Sequence, residues 1–595
     1  MSKAAATTFE EGGVRVAVEG CGHGTLDAIY AAVTRASKAR GWDGVDLLII
    51  GGDFQAARNA ADLSVMSVPD KYRHMGDFHA YYSGKKKAPY LTIFIAGNHE
   101  ASAHLWELYY GGWVAPNIYY LGAANVIRFG PLRIAAMSGI WQGLDYRKPH
   151  HERLPFSHRD IKTFYHVREI DVRRLLLVKE QVDIGLSHDW PRGIEYHGDT
   201  AALMKMKPHF RQESRDGTLG NPAATYVMDR LRPAYWFSAH MHCKFSAIKT
   251  YDPPGPEPAA TETITKEPST LIPEPEKAAA NPDEIDLDDE DDAGPAENSK
   301  HSAEEPSSTA QQRPSSPGVP DDLRDQLPAA FTMSAQKGPR LDPGQPVPPT
   351  ITNTTTRFLS LDKCLPGRQF IQLCELSPLD PTRQALVSPS SPSPPSSPSS
   401  PSSPSSPSSP SSPSGKQQRR RFELHYDPEW LAITRALAPC LTVGDPAAGV
   451  PPDRGEAAYA PLVAAARAWV DERLVRPGRL AVPRDFAPTA PPHRPGLPER
   501  VPHQPDEHTN PQTAAFCHLL GVPNLWDATP EERAERKANV PPPPPSFSSG
   551  GGGGGGGGGW RGGGRGGRGG GRGRGSNHGR GGGGGGGRGG RGGRH

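Results

Sequence analysis

Five short apolar runs, each followed by side chains able to hold a metal ion, constrain this chain more than any other feature. The runs are Val14–Glu19, Val45–Ile50, Tyr90–Ile95, Val182–Leu186 and Tyr235–Phe237. After them come Cys21 and His23, then Asp53, then Asn98 with His99, then His188, and finally His240 with His242. Runs this short, rich in β-branched and aromatic residues and closed by Gly or Ser, read as buried strands. Leu26, Ile29, Tyr30 and Val33 recur at helical spacing, predicting an amphipathic helix from Leu26 to about Arg40. Leu132–Met137 reads as a further strand, and a charged helix is expected around Val167–Glu180. Alternating strands and helices imply an α/β layered fold. Ligands in such folds collect at the carboxyl ends of strands, where the loops converge. The polar residues above all sit there.

Taken together they form a mixed nitrogen, oxygen and sulfur set. It suits Fe(II), Zn(II) or Mn(II) and is too rich in nitrogen for Ca(II). Asp53 is the natural carboxylate to bridge two metal positions about 3.5–4 Å apart. His99, beside the candidate ligand Asn98, is the candidate proton donor to a leaving oxygen. Cys21 has two readings, a thiolate ligand or a small buried thiol bordering the metal.

Composition divides the rest of the chain. Of 595 residues, 65 are Pro and 68 are Gly, so much of the length packs no core. The net charge of +2 hides an asymmetry, because residues 550–595 carry nine Arg and no acid. Residues 1–12 and the acidic Pro/Ser-rich stretch 251–350 are expected to be disordered. Two strand-like runs, 357–364 and 369–374 within the segment 351–380, are expected to rejoin the first sheet. The Ser-Ser-Pro repeat in 381–420 is a stiff linker. Helical pieces (428–437, 460–475 and 513–520) predict a small helical C-terminal region over 421–537, and 538–595 is a disordered poly-Pro and Gly/Arg tail. The six Cys are scattered without a Cys-x-x-Cys pair, which fits a reducing compartment. No apolar signal core and no membrane-length run are present, so a soluble, intracellular protein without membrane contact is expected.

The ordered motifs Cys21-x-His23, Gly52-Asp53, Gly97-Asn98-His99-Glu100, His188 and Ala239-His240-x-His242 resemble the calcineurin-like metallophosphoesterase superfamily. Two positions depart from its pattern: Cys21 stands for the first Asp, and Ala239 for a Gly. Both departures, and the longer stretches Gly51–Asn59, Pro69–Met75, Tyr81–Gly84, Gly111–Tyr120, Leu186–Pro191 and Tyr235–His240, are closely similar to RNA lariat debranching enzymes. That resemblance implies a layered β-sandwich flanked by helices. It also implies metal-dependent hydrolysis of the 2′–5′ phosphodiester at the branch point of excised introns. The implied setting is the nucleus, alongside mRNA splicing and intron turnover, with branched lariat RNA as the partner. It further implies that 141–156 is a lariat recognition loop, where Trp141, Tyr146, Arg147, Lys148 and Arg153 mix aromatic and cationic groups. Trp141 and Tyr146 also read as packing residues. Lys71, Tyr72 and Arg73 would extend an RNA rim, and the Gly/Arg tail resembles RGG boxes that bind RNA without sequence readout. Protein partners are not indicated. Two other readings compete: a generic phosphatase or nucleotide phosphodiesterase, and a non-catalytic RNA-binding protein acting through the tail.

Overall fold

The computed structural model describes residues 13–252, 343, 346–383 and 422–539. The N-terminal stretch 1–12, most of the acidic insert, the Ser-Ser-Pro repeat and the Gly/Arg tail lie outside the described residues. The strands in chain order are β1 Val14–Glu19, β2 Leu47–Ile50, β3 Thr92–Phe94, β4 Gly112–Ala115, β5 Ile118–Tyr120, β6 Ala124–Phe129 and β7 Leu132–Met137. They continue with β8 Ile184–Ser187, β9 Tyr235–Ser238, β10 Phe245–Thr250, β11 Thr355–Ser360, β12 Ile371–Leu376 and β13 Leu424–Tyr426. One sheet has the order β12-β1-β2-β3-β5-β4 and the other β10-β11-β9-β8-β7-β6-β13.

Alternation along each strand builds the layers. Val14, Val16 and Val18 of β1 join Leu47 and Ile49 of β2 in one apolar cluster with Ile134, Ile184, Leu186 and Phe237 of the other sheet. That cluster is the interior of a sandwich. Ala17, Leu48 and Ile50 point the other way and pack on the helix Leu26–Ala39 through Leu26, Ile29, Tyr30 and Val33. The outer face of the second sheet, including Ala135, Met137 and Trp236, packs on helices Glu169–Leu176 and Pro222–Leu231. Strands β1, β2 and β3 are mutually parallel, as are β7, β8, β9 and β11. Their carboxyl ends therefore emerge together.

Three expectations change. The charged helix is shorter than Val167–Glu180, spanning Glu169–Leu176. The two late runs do not share a sheet: β12 pairs antiparallel with β1, while β11 inserts between β9 and β10. Phe358 of β11 packs against Trp190, with ring centroids 5.4 Å apart. The C-terminal region is not purely helical either. Helices Pro428–Leu437, Glu456–Val470 and Pro511–Leu520 form, but β13 precedes them and pairs antiparallel with β6 at the sheet edge.

A buried ion-pair cluster fixes that junction. Fully buried Arg133 of β7 donates to Asp427 at 2.7 and 2.8 Å and to Glu429 at 2.7 Å. Breaking one member of a buried cluster leaves uncompensated charge. Arg133→Ala is therefore expected to cost about 3–5 kcal/mol of unfolding free energy, read by denaturant titration.

Candidate metal centre

The loops after β1, β2, β3, β8 and β9 meet at one end of the sandwich, and their backbones are strained there. His23, Asp53, His240 and His242 have φ values of +40°, +47°, +61° and +46°. Left-handed backbone is uncommon outside glycine, and its concentration at one point marks a functional site rather than random irregularity. Two glycines make the approach possible. A Cβ on Gly97 would lie 2.1 Å from Asp53 Oδ1, and one on Gly52 would lie 2.1 Å from His188 Nδ1.

Asp53 is the centre of the cluster. Its Oδ1 lies 3.4 Å from His188 Nε2 and accepts the His99 backbone N–H at 2.9 Å. Its Oδ2 lies 3.7 Å from His23 Nε2 and 3.8 Å from His99 Nδ1. The donor atoms of Cys21, His23, Asp53 and His242 all fall within 4.8 Å of one another. The His240 ring lies 5.0 Å from that of His188, and Asn98 stands between Gly97 and His99, which both touch Asp53. All eight predicted residues are thus brought together. Burial alone would raise the Asp53 carboxyl, but the imidazoles of His188, His99 and His23 and the His99 N–H hold it well below the usual range. Burial, then the neighbouring His188, lowers His240 to about 3; burial, then His23, pushes His242 well down. These two imidazoles are therefore neutral, with lone pairs available.

The chemistry of this set fits a divalent metal. Asn98 Oδ1, His188 Nε2 and His242 Nδ1 are buried without a hydrogen-bond partner, which is costly unless something else satisfies them. His188 Nδ1 donates to the Gly51 carbonyl at 2.8 Å, leaving Nε2 as the free donor atom, the arrangement a ligating histidine uses. Cys21 is fully buried, and its sulfur accepts the His240 backbone N–H at 3.2 Å. Burial, Asp53 and Glu19 push that thiol well up, so it stays protonated unless a cation draws the proton off.

Sequence reasoning missed the groups that hold this arrangement. Glu100, fully buried, accepts the backbone N–H groups of Phe54 and Gln55 at 2.8 Å and of Gly97 at 3.0 Å. It thereby locks the Asp53 loop to the Asn98 loop. Burial and the Asp53 charge raise it to about 7. Gln55 Nε2 lies 3.4 Å from His23 Nδ1 and orients that ring. Only the place of Glu100 after Asn98-His99 hinted at its part.

The predicted RNA-facing residues sit outside this cluster. Trp141 and Tyr146 are half-buried, with ring centroids 4.8 Å apart, and pack against the second sheet's outer cluster. Arg147 is exposed. Lys148 pairs with Asp145, and Arg153 donates to the Asp527 carbonyl at 2.7 Å. At the rim, the Lys71 ammonium lies 4.5 Å over the Tyr72 ring, and Arg73 donates to the Val68 carbonyl.

Comparison with known proteins decides the family. Residues 14–244 match the calcineurin-like phosphoesterase model, and residues 353–525 match that of the lariat debranching enzyme, C-terminal domain. The chain is 37% identical over 516 residues to a lariat debranching enzyme of Schizosaccharomyces pombe, covering 86% of this chain and 96% of that protein. The chain belongs to the lariat debranching enzyme family. A human lariat debranching enzyme is 36% identical over 86% of this chain and 69% of its own length, and one from Arabidopsis thaliana 33% identical over 87% and 88%. Within this lariat debranching enzyme architecture, the phosphoesterase match takes in all five ligand-bearing strand ends, and the C-terminal match runs from just before β11 through β13 and the helices beyond it. Among the described residues, no helix is long and apolar enough to cross a membrane.

Proposed function

We propose that the chain is a metal-dependent phosphodiesterase that hydrolyses the 2′–5′ bond at the branch point of excised intron lariat RNA, linearising it for turnover. The observation that carries this is the convergence of five strand ends on the single carboxylate of Asp53, in a chain of this family. Cys21, His23, Asp53, Asn98, His188, His240 and His242 hold the metal. A divalent ion bound there supplies charge neutralisation at the non-bridging phosphate oxygens and makes water acidic enough to attack near neutral pH. His99 gives a proton to the leaving 2′-oxygen as the P–O bond breaks. Its backbone hydrogen bond to Asp53 fixes the turn, and its ring stays 13% exposed.

The donor set favours Fe(II) or Zn(II), with Mn(II) able to substitute, because a sulfur and several imidazoles accompany one carboxylate. The aromatic and cationic loop 141–156 grips the branched RNA, with Lys71, Tyr72 and Arg73 as a further rim. The Gly/Arg tail adds RNA affinity without sequence readout, and the site of action is the nucleus.

The test compares a branched 2′–5′ RNA, a linear 3′–5′ RNA and p-nitrophenyl phosphate, using anaerobically purified protein whose metal content is measured. The branched RNA is expected to be cleaved with the highest kcat/KM, in proportion to bound iron or zinc. Preference for the linear RNA or the small phosphate would instead support a general phosphodiesterase or phosphatase.

A further inference from the structure

In the second sheet the ligand-bearing strands β8 and β9 lie between two parallel neighbours, β7 and β11. The end of β7 leads into the loop 141–156. The end of β11 leads into 361–370, which reaches the metal-bearing rim on the side away from 141–156 and carries none of the ligands.

This second loop is fastened to the ligand Cys21. Lys363 forms a parallel bridge with Cys21, and the Cys364 N–H donates to the Cys21 carbonyl at 3.3 Å. Gly20 makes the approach possible, since a Cβ there would lie 2.2 Å from the Asp362 carbonyl oxygen. The loop is also braced from within. One Asp362 carboxylate oxygen accepts the Lys363 N–H at 2.8 Å, and the other lies 3.5 Å from the Arg368 guanidinium. A tight turn closes beyond it, with the Arg368 N–H on the Leu365 carbonyl at 3.2 Å. Pro366 stands second in that turn and Gly367 third, at a φ of +79°, the residues such a turn selects.

Lys363 is therefore held at the rim by backbone bonds to a ligand's own loop. Its side chain is half-buried, and its charge, after burial and His23, helps keep His242 neutral. That places a cation beside the donor group of Cys21, His23, Asp53 and His242. A phosphodiester carries one negative charge and gains a second on its non-bridging oxygens as hydroxide adds to phosphorus. A cation already fixed in place is worth more to that transition state than to the bound substrate.

We infer that Lys363 contacts the reacting group, its ammonium holding a non-bridging oxygen of the branch phosphate on the side of the cleft away from 141–156. The inference rests on the phosphodiesterase reading above and concerns the scissile phosphate, not the RNA arms. Full-length, metal-loaded Lys363→Met and Lys363→Arg are compared with wild type. The readouts are single-turnover cleavage of branched RNA, kcat/KM on bis-p-nitrophenyl phosphate, inhibition by inorganic phosphate, and the rise in Tm with Mn(II). Lys363→Met is expected to lose about 30-fold on both substrates, which present the same non-bridging oxygens. Inorganic phosphate should inhibit it about fivefold more weakly, while the Mn(II)-linked rise in Tm keeps its wild-type size. Lys363→Arg restores most of the rate. Lys363→Gln repeats the test should Lys363→Met not fold. A loss confined to branched RNA would make Lys363 a grip on one arm and overturn the inference. A smaller Mn(II)-linked rise would make it a prop for the Cys21 loop and overturn it equally, as would unchanged rates and phosphate inhibition. Wild-type protein that cleaves bis-p-nitrophenyl phosphate but not branched RNA overturns the debranching reading alone, and Lys363 is then judged on the small diester. Cleavage of neither overturns both.

Discussion

Asp53→Asn is expected to give a folded protein that retains about 1% or less of the debranching rate and is no longer stabilised by divalent metal. Asn keeps the shape of Asp and one carbonyl oxygen, so the hydrogen bond from the His99 backbone N–H at Oδ1 can persist. What disappears is the charge and the second acceptor. In the native side chain the two oxygens face different partners, Oδ1 toward His188 and Oδ2 toward His23. A carboxylate so placed would offer a bound cation an oxygen beside either histidine. His240 and His242 are neutral donors, so Asp53 is the carboxylate that would set negative charge against a bound dication. A hundredfold weaker affinity removes about 2.3 kcal/mol of metal-linked stability at a metal concentration a hundred times the wild-type Kd. Thermal melts with and without Mn(II) read this directly. The metal-free variant should itself melt lower than metal-free wild type, because the imidazoles of His188, His99 and His23 stabilise the Asp53 charge in the fold, so the rise on adding metal is the quantity compared. A variant that keeps its metal-dependent rise in Tm would remove Asp53 from the ligand set.

How much of this was legible beforehand follows from the range of the interactions. β1 was readable to the residue, because Val14, Val16 and Val18 alternate against Ala17 within six positions. The five strand ends were readable for the same reason. Apolar runs and the turns that stop them are local. Partner choice was not. β11 and β12 look alike as sequences, yet one lies beside β9 and the other beside β1. The segment around Thr489 to Gln504, inside the region 421–537, carries Pro and no periodicity, so no packing partner could be read for it. It nevertheless wraps the catalytic half: Thr489 bonds buried Arg58, Tyr82 donates to the Ala490 carbonyl, and Gln504 exchanges two hydrogen bonds with the Phe156 backbone. Backbone strain at the centre was equally hidden. His and Asp visit positive φ more often than most residues, but only the packed surroundings of His23, Asp53, His240 and His242 hold all four there. Motif spacing could say that these residues meet. It could not say that Glu100 fastens the meeting by accepting three backbone N–H groups.

His99→Ala is expected to lower the single-turnover cleavage of branched RNA by about 10²- to 10⁴-fold, with little change in RNA affinity or metal-linked Tm. The separation matters because His99 touches Asp53 twice, and only one contact involves its side chain. The backbone N–H that bonds Oδ1 survives the substitution, so the turn keeps its shape, while the ring whose Nδ1 stands 3.8 Å from Oδ2 is lost. A group that protonates the leaving oxygen is needed in proportion to how basic that oxygen is. A sugar 2′-alkoxide is a poor leaving group and needs the proton; a nitrophenolate does not. The same variant should therefore lose far less activity on bis-p-nitrophenyl phosphate than on branched RNA. A purely structural histidine would cost both substrates equally, and a ligand would also cost metal-linked stability. Deleting 550–595 provides the contrast, since a tail that only adds affinity leaves the single-turnover rate on a short branched RNA at saturation unchanged. If His99→Ala cleaves branched RNA at the wild-type rate, the proton comes from elsewhere and His99 belongs to the turn alone.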